Sequence, residues 1–279
     1  MGLLAGRVAI VTGAGRGIGA AASRFFGREG ARLVLNDLDG DSANATAAAV
    51  REAGGEAVAL GGDMAGEGFP EKLAALAAET YGAPDVVVSN AGFLFDGMLH
   101  KQTDAQWSAI LDCHLSAPFR LARAVAPHMR AAAKAEIDAR GFASDRALVN
   151  VSSTSGLHGN VGQANYAAAK AGVVGLTKTA AREWGPLGIR ANCVAFGMID
   201  TRMTRAFSDA VAVGGEQVAQ GLPEHVAAMW QDSAALSQIV PLARKGTADE
   251  AAGAILFLAS PLASYVTGTT LEVTGGMGM

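Results

Sequence analysis

Tyr166 and Lys170 stand four residues apart in the run Tyr-Ala-Ala-Ala-Lys, with Ser153 upstream at the end of an apolar stretch. Residues at i and i+4 share one face of a helix. An ammonium beside a phenol favours the phenolate and is expected to lower the tyrosine pKa. Tyr166 would then serve as general acid and base. Ser153 would hydrogen-bond a substrate oxygen as its charge changes. A tyrosine and lysine at this spacing are common by chance, so their meaning depends on what else the chain carries.

A second constellation lies near the N-terminus. The run Thr12-Gly13-Ala14-Gly15-Arg16-Gly17-Ile18-Gly19 follows the β-branched segment Val8–Val11 and opens a helical stretch. Glycines allow a tight turn and close backbone approach, and the helix N-terminus offers unpaired N–H groups to a pyrophosphate. The spacing is T-G-x-x-x-G-x-G, not the commoner G-x-G-x-x-G. Asp37 ends the next β-branched run. An acid there accepts the ribose hydroxyls of NAD and repels the 2′-phosphate of NADP. Arg16 points the other way, since a cation in the loop can reach a 2′-phosphate. NAD(H) is the favoured cofactor, with NADP(H) as the second reading.

Positioning these groups requires an α/β framework. Strands are predicted at 8–11, 32–36, 57–60, 85–89, 147–151, 189–194 and 270–273. Helices are predicted at about 17–29, 41–53, 69–80, 104–133, 163–183 and 248–259. This alternation predicts a single-domain Rossmann fold over residues 1–279: a doubly wound parallel sheet of about seven strands with helices on both faces. Two segments exceed ordinary connections. Arg130 to Arg146 is polar and extends the fourth helix, and its role is open. Thr201 to Arg244 carries Met203, Phe207, Met229 and Trp230 and reads as helical turns forming a substrate lid at about 201–244.

Composition narrows the partners. Half of the 279 residues are hydrophobic, which suits a large core, and the net charge of −4 comes without a basic run. Nucleic acid and an anionic membrane surface are therefore not expected as partners. No apolar run is long enough for a membrane helix, and the segment before the glycine loop is too short for a signal sequence. Cys113 and Cys193 belong to no Cys-x-x-Cys pair and are expected as reduced thiols in the cytoplasm. The five histidines are scattered, so no metal site is expected.

Together these residues resemble the classical short-chain dehydrogenases/reductases over nearly the whole chain. The matching segments are TGAGRGIG, Asp63, SNAG (89–92), VSS (151–153), YAAAK (166–170) and GMIDT (197–201). The resemblance implies hydride transfer at the nicotinamide between a secondary alcohol and a ketone, with Ser153, Tyr166 and Lys170 catalytic. It implies cofactor contacts from Gly13, Gly15, Arg16, Gly17, Ile18 and Gly19, from Asp37, and from Asp63 and Met64 near the adenine. Asn90, Ala91 and Gly92 would line the cofactor, Gly197, Ile199 and Thr201 would lie near the nicotinamide, and Lys170 would reach its ribose. Homotetramers or homodimers are usual among such proteins.

Two departures stand out. Family members carry an asparagine in the fourth helix that kinks it and exposes a carbonyl to a proton-relay water. Here His114, within CHLSAP, takes that place. Its ring either joins the relay or fills a polar kink. Phe196 replaces the usual proline and is expected at the floor of the nicotinamide pocket. The run GNVGQANYAAAK resembles 3-oxoacyl-acyl carrier protein reductases, whereas His114 and Asp37 resemble the 3-hydroxyacyl-CoA and hydroxysteroid branch. A 3-oxoacyl or 3-hydroxyacyl thioester is the expected substrate. A hydroxysteroid or other bulky alcohol is the alternative, and a dinucleotide-binding protein without turnover is the remote one.

Overall fold

The computed structural model describes residues 2–207, 209–213 and 216–278. Strand β1 (Val8–Thr12) leads into α1 (Gly17–Arg28), β2 (Arg32–Asp37), α2 (Gly40–Glu52), β3 (Glu56–Gly61), α3 (Phe69–Tyr81) and β4 (Val86–Ser89). Then follow α4 (Asp104–Leu111), a π-helical turn at Asp112–Ser116 and α5 (Ala117–Arg140). Next come β5 (Arg146–Ser153), α6 (Thr154–His158), α7 (Ala164–Trp184) and β6 (Ile189–Phe196). The last elements are β7 (Asp209–Val213), β8 (Glu216–Gln220), α8 (Glu224–Met229), α9 (Ser233–Ser237), α10 (Ala248–Ala259) and β9 (Thr270–Val273).

Seven of these strands form one parallel sheet in the order β3-β2-β1-β4-β5-β6-β9, as the strand–helix alternation predicted. The alternation of side chains along each strand divides the core in two. Ala9, Val11, Leu33, Leu35, Val86, Val88, Val149 and Val151 face one way, toward Phe26 of α1 and Ile255 and Leu258 of α10. Val8, Ile10, Val34, Val87 and Leu148 face the other, toward Leu73 of α3, Leu121, Val125 and Met129 of α5 and Trp184 of α7. Both faces are covered, so the strands read as continuous apolar runs. Strand order reverses on either side of β1, between β2 and β4. In open parallel sheets the crevice at the carboxyl ends of such strands is where ligands bind.

The extension of α5 closes on the opposite end of the sheet. It runs past the predicted end at 133 to Arg140 and stops at Gly141, whose φ of 84° ends the helix. Glu136 receives Nη2 of the buried Arg146 at 2.7 Å and Nη2 of Arg140 at 3.1 Å. Asp85 accepts from the Val8 N–H and from Arg7, and Asp145 holds Arg190 through both carboxylate oxygens. Residues 130–146 therefore anchor α5 to the start of β5 through charged groups.

The segment after β6 differs from the helical cover expected. Strands β7 and β8 pair antiparallel as a hairpin, and among the described residues of 201–244 the helical pieces are short: a 3-10 turn at Arg202–Thr204 and α8 and α9 of five or six residues each. Phe207 remains more than half exposed, and the Met229 side chain lies outside the described residues. Among the described residues no helix is long and apolar enough to cross a membrane.

Candidate active site

The glycine loop connects β1 to α1 at the carboxyl edge of the sheet. Gly13 has φ of 62°, and a Cβ there would stand 2.7 Å from the Ala91 Cα. A Cβ on Gly19 would collide with the Gly13 carbonyl. Only glycine permits this packing. Asn90 ties the loop down, donating through Nδ2 to the carbonyls of Thr12 at 3.0 Å and Gly13 at 3.1 Å. The Thr12 hydroxyl accepts from the N–H groups of Asn90 and Ala91. The segment 89–92 and the loop are thus one unit, with the bare N-terminus of α1 free of any side-chain cap. This cradle suits the pyrophosphate of a dinucleotide.

At its rim Asp37 ends β2 and accepts from the Gly15 N–H at 2.9 Å. Arg16 reaches Asp39 at 2.8 Å and the Ser42 hydroxyl. Ile18 packs on the core from α1. Asp63 is exposed beyond β3 and caps its own turn through the Ala65 N–H, while Met64 beside it is buried. Gly197 follows β6, and the Ile199 side chain is buried. Thr201 stands next to Gly17, its Cγ2 3.5 Å from where a Cβ on Gly17 would lie. Thr201 is therefore at the glycine loop. Phe196, at the end of β6, is 5% exposed in the core cluster that includes residues of α1 and α10 together with Ile199.

Strand β5 delivers Ser153 to the same edge. Its hydroxyl caps α6 by accepting from the Ser155 N–H at 3.1 Å, and it stands close enough to the Tyr166 phenol to oppose part of the effect of burial on its pKa. Lys170, 4% exposed, donates to the Val151 carbonyl at 2.7 Å, and Ser152 donates to the Lys170 carbonyl at 2.8 Å. Two consecutive residues of β5 thereby grip α7. The Lys170 Nζ lies 5.6 Å from the centre of the Tyr166 ring. Burial pushes the phenol up to about 12 and brings the ammonium down to about 8. The expected depression of the tyrosine pKa is absent here, since desolvation of the phenolate outweighs every attractive contact. At neutral pH Tyr166 is a protonated donor beside a largely charged lysine.

His114 lies in the π-helical turn between α4 and α5, 1% exposed. Its Nε2 is 2.8 Å from the Phe93 carbonyl oxygen, which places a proton on Nε2. The buried Nδ1 has no hydrogen-bond partner among the described residues. The ring stands edge-on to Tyr166 with centres 5.0 Å apart. A Cβ on Gly92 would run into this ring, so Gly92 makes room for it. Burial first, then the Lys170 charge, holds His114 well below the usual histidine range. Burial thus favours the neutral imidazole at this helix irregularity.

The loop from Phe93 to Gly97 is pinned at every residue. Beyond His114 on Phe93, the Gln220 amide meets both backbone groups of Leu94 at 3.0 Å. Asn165 donates to the Phe95 carbonyl, Gln163 donates to the Asp96 carboxylate, and the Gly97 N–H donates to the Gly162 carbonyl. Desolvation raises the Asp96 pKa. Sequence reasoning missed Asp96, Gln163, Asn165 and Gln220 as site residues. Gln163 and Asn165 lie within the GQANYAAAK run and could have been found there, whereas nothing local marks Asp96 or Gln220. Among the described residues no group of side chains could hold a metal ion.

Comparison with known proteins adds to this geometry. Residues 7–212 match the family description "short chain dehydrogenase", and residues 218–278 match "Enoyl-(Acyl carrier protein) reductase". The chain is similar to proteins named 3-oxoacyl-[acyl-carrier-protein] reductase FabG. The one from Escherichia coli (strain K12) is 38% identical over 275 residues, covering 98% of each chain. That of Vibrio cholerae is 37% identical over 278 residues, and that of Chlamydia trachomatis serovar D is 35% identical over 282, each covering 99% of both chains.

Proposed function

This chain belongs to the short-chain dehydrogenases/reductases, oxidoreductases that use a nicotinamide dinucleotide, and on that premise we propose that it reduces a 3-oxoacyl thioester to the 3-hydroxyacyl thioester. The observation that carries the reading is the protonated Tyr166 with Ser153 beside it and the Lys170 Nζ 5.6 Å from its ring centre, at the same edge of the sheet as the glycine cradle. When bound, the dinucleotide supplies the hydride. Ser153 and Tyr166 donate hydrogen bonds to the substrate oxygen, and Tyr166 gives it a proton as it becomes an alcohol. A phenol whose anion is disfavoured is a donor at rest, which suits the reductive direction. Lys170 places a positive charge behind Tyr166 and stabilises the phenolate left after the proton leaves.

The residues present fit the cofactor: glycines at 13, 15 and 19 where a Cβ would clash, an uncapped helix N-terminus and an acid at the end of β2. Gly13, Gly15, Arg16, Gly17, Ile18 and Gly19 hold the pyrophosphate, and Asn90, Ala91 and Gly92 back the loop. Asp37 takes the ribose hydroxyls and selects NAD(H), while Asp63 and Met64 flank the adenine. Gly197, Ile199, Thr201 and Lys170 serve the nicotinamide half. The acyl chain on acyl carrier protein or coenzyme A enters beside the hairpin β7–β8, within a single domain.

Initial rates with acetoacetyl-CoA and a long-chain 3-oxoacyl-CoA, each with NADH and with NADPH, test the proposal. Fast NADH-linked reduction of a thioester is expected. Absence of turnover with both thioesters would overturn the substrate assignment.

A further inference from the structure

Gln220 is the last residue of β8, and its side chain is 0% exposed. Along this strand Gln217 and Ala219 are exposed, while Val218 and Gln220 face inward. Packing alone would place an apolar side chain at such a position, because burying an amide is costly unless its groups are bonded. Here they are. Oε1 accepts from the Leu94 N–H at 3.0 Å, and Nε2 donates to the Leu94 carbonyl at 3.0 Å. Nε2 also lies 3.1 Å from the Val218 carbonyl. The amide thus meets Leu94 as a neighbouring strand would, across 126 residues of sequence.

The residue before Leu94 is held from the other side through its carbonyl alone. The Phe93 carbonyl oxygen lies 2.8 Å from His114 Nε2, whose N–H donates to it. The His114 ring in turn stands edge-on to Tyr166. A continuous set of contacts therefore runs from the hairpin through Gln220, Leu94, Phe93 and His114 to the phenol. We propose that Gln220 is a positioning residue that couples the hairpin β7–β8 to the orientation of Tyr166 during reduction of the thioester. The inference rests on the function proposed above for the kinetic part of its test. Its structural part stands on this set of contacts alone.

The test compares Gln220→Ala and Gln220→Glu with the unaltered protein. Amide hydrogen exchange at Phe93 and Leu94 is measured first, with NADH binding and thermal midpoint as controls for folding. Loss of the latch is expected to speed exchange at Leu94 and, through the shared backbone, at Phe93, with NADH affinity unchanged. Turnover of acetoacetyl-CoA by Gln220→Ala is expected to fall roughly tenfold in kcat with KM within about a factor of two, the pattern of an interaction that acts in the transition state. Gln220→Glu is the conservative control. Its protonated carboxyl has one donor and one acceptor, like the amide, whereas its carboxylate cannot donate to Leu94. Its kcat, relative to the unaltered protein, should therefore recover as pH falls.

Faster exchange confined to Leu94, with kcat unchanged in both variants, would overturn the coupling and leave Gln220 a packing residue. If the unaltered protein reduces no thioester, the substrate assignment fails while the Phe93 exchange still decides the latch. If Gln220→Ala does not fold, Gln220→Glu at low pH supplies the same comparison.

Discussion

His114 Nε2 sits 2.8 Å from the carbonyl oxygen of Phe93, and this one contact sets the protonation and the role of the ring beside Tyr166. The proton is committed to a backbone carbonyl, and burial disfavours a second one. We propose that the imidazole acts as a neutral spacer in the π-helical turn, an irregularity often found at functional sites. His114→Asn should leave the shape of the pH–rate profile unchanged between about pH 5.5 and 9. His114→Ala should lower kcat by roughly tenfold to a hundredfold by loosening Phe93 and Tyr166. A lost acidic limb in His114→Asn would restore the relay reading.

Tyr166→Phe keeps the ring and removes the donor. Turnover should drop by about 10²–10⁴-fold, with NADH binding measured by fluorescence little changed. Near-normal rates in this variant would end the proposed mechanism.

Lys170 is brought down to about 8 by burial, so its ammonium is present below that pH and lost above it. The rate should fall as pH rises through about 8. The Tyr166 phenol, at about 12, adds no limb within the measurable range. Lys170→Arg should move the basic limb upward if the variant folds, because a guanidinium stays charged. A flat profile to pH 10 in the unaltered protein would contradict the assignment.

Asp37→Ala removes the charge that disfavours a 2′-phosphate. The ratio of kcat/KM for NADPH over NADH should rise by about tenfold or more, equivalent to about 1.4 kcal/mol. An unmoved ratio would make Asp37 a support for the Gly15 N–H only.

Glu136 is held down to about 2, from 4.5, chiefly by its hydrogen bonds from Arg146. A carboxylate lowered on folding contributes stability that is fully present above its unfolded pKa and is lost as pH falls through the folded value. Glu136→Gln should lower the thermal midpoint at pH 7, by an amount equivalent to roughly 1–3 kcal/mol. The difference from the unaltered protein should shrink as pH drops from about 4.5 toward about 2. A difference that persists at pH 2 would show that shape, not charge, holds α5 to β5.

Much of this molecule was readable from local pattern. Runs such as Val8–Thr12 and Val86–Ser89 are apolar on both faces because each is buried on both faces, and their length and spacing reveal the parallel sheet. The glycine loop, Ser153, Tyr166 and Lys170 were legible because each lies at a spacing set by one turn or one helix face. Other features depend on elements meeting across the fold. The hairpin at 209–220 lay inside a stretch read as helical turns, since its short strands carry too weak a period. The pKa of Tyr166 moved opposite to the expectation, because spacing conveys proximity to Lys170 but not the loss of water around the phenol. The pinned loop at 93–97 depends on His114, Gln163, Asn165 and Gln220 arriving from separate elements. A hydrogen bond requires donor and acceptor within a few tenths of an ångström, and for residues so distant along the chain only the packed sheet and helices set that separation.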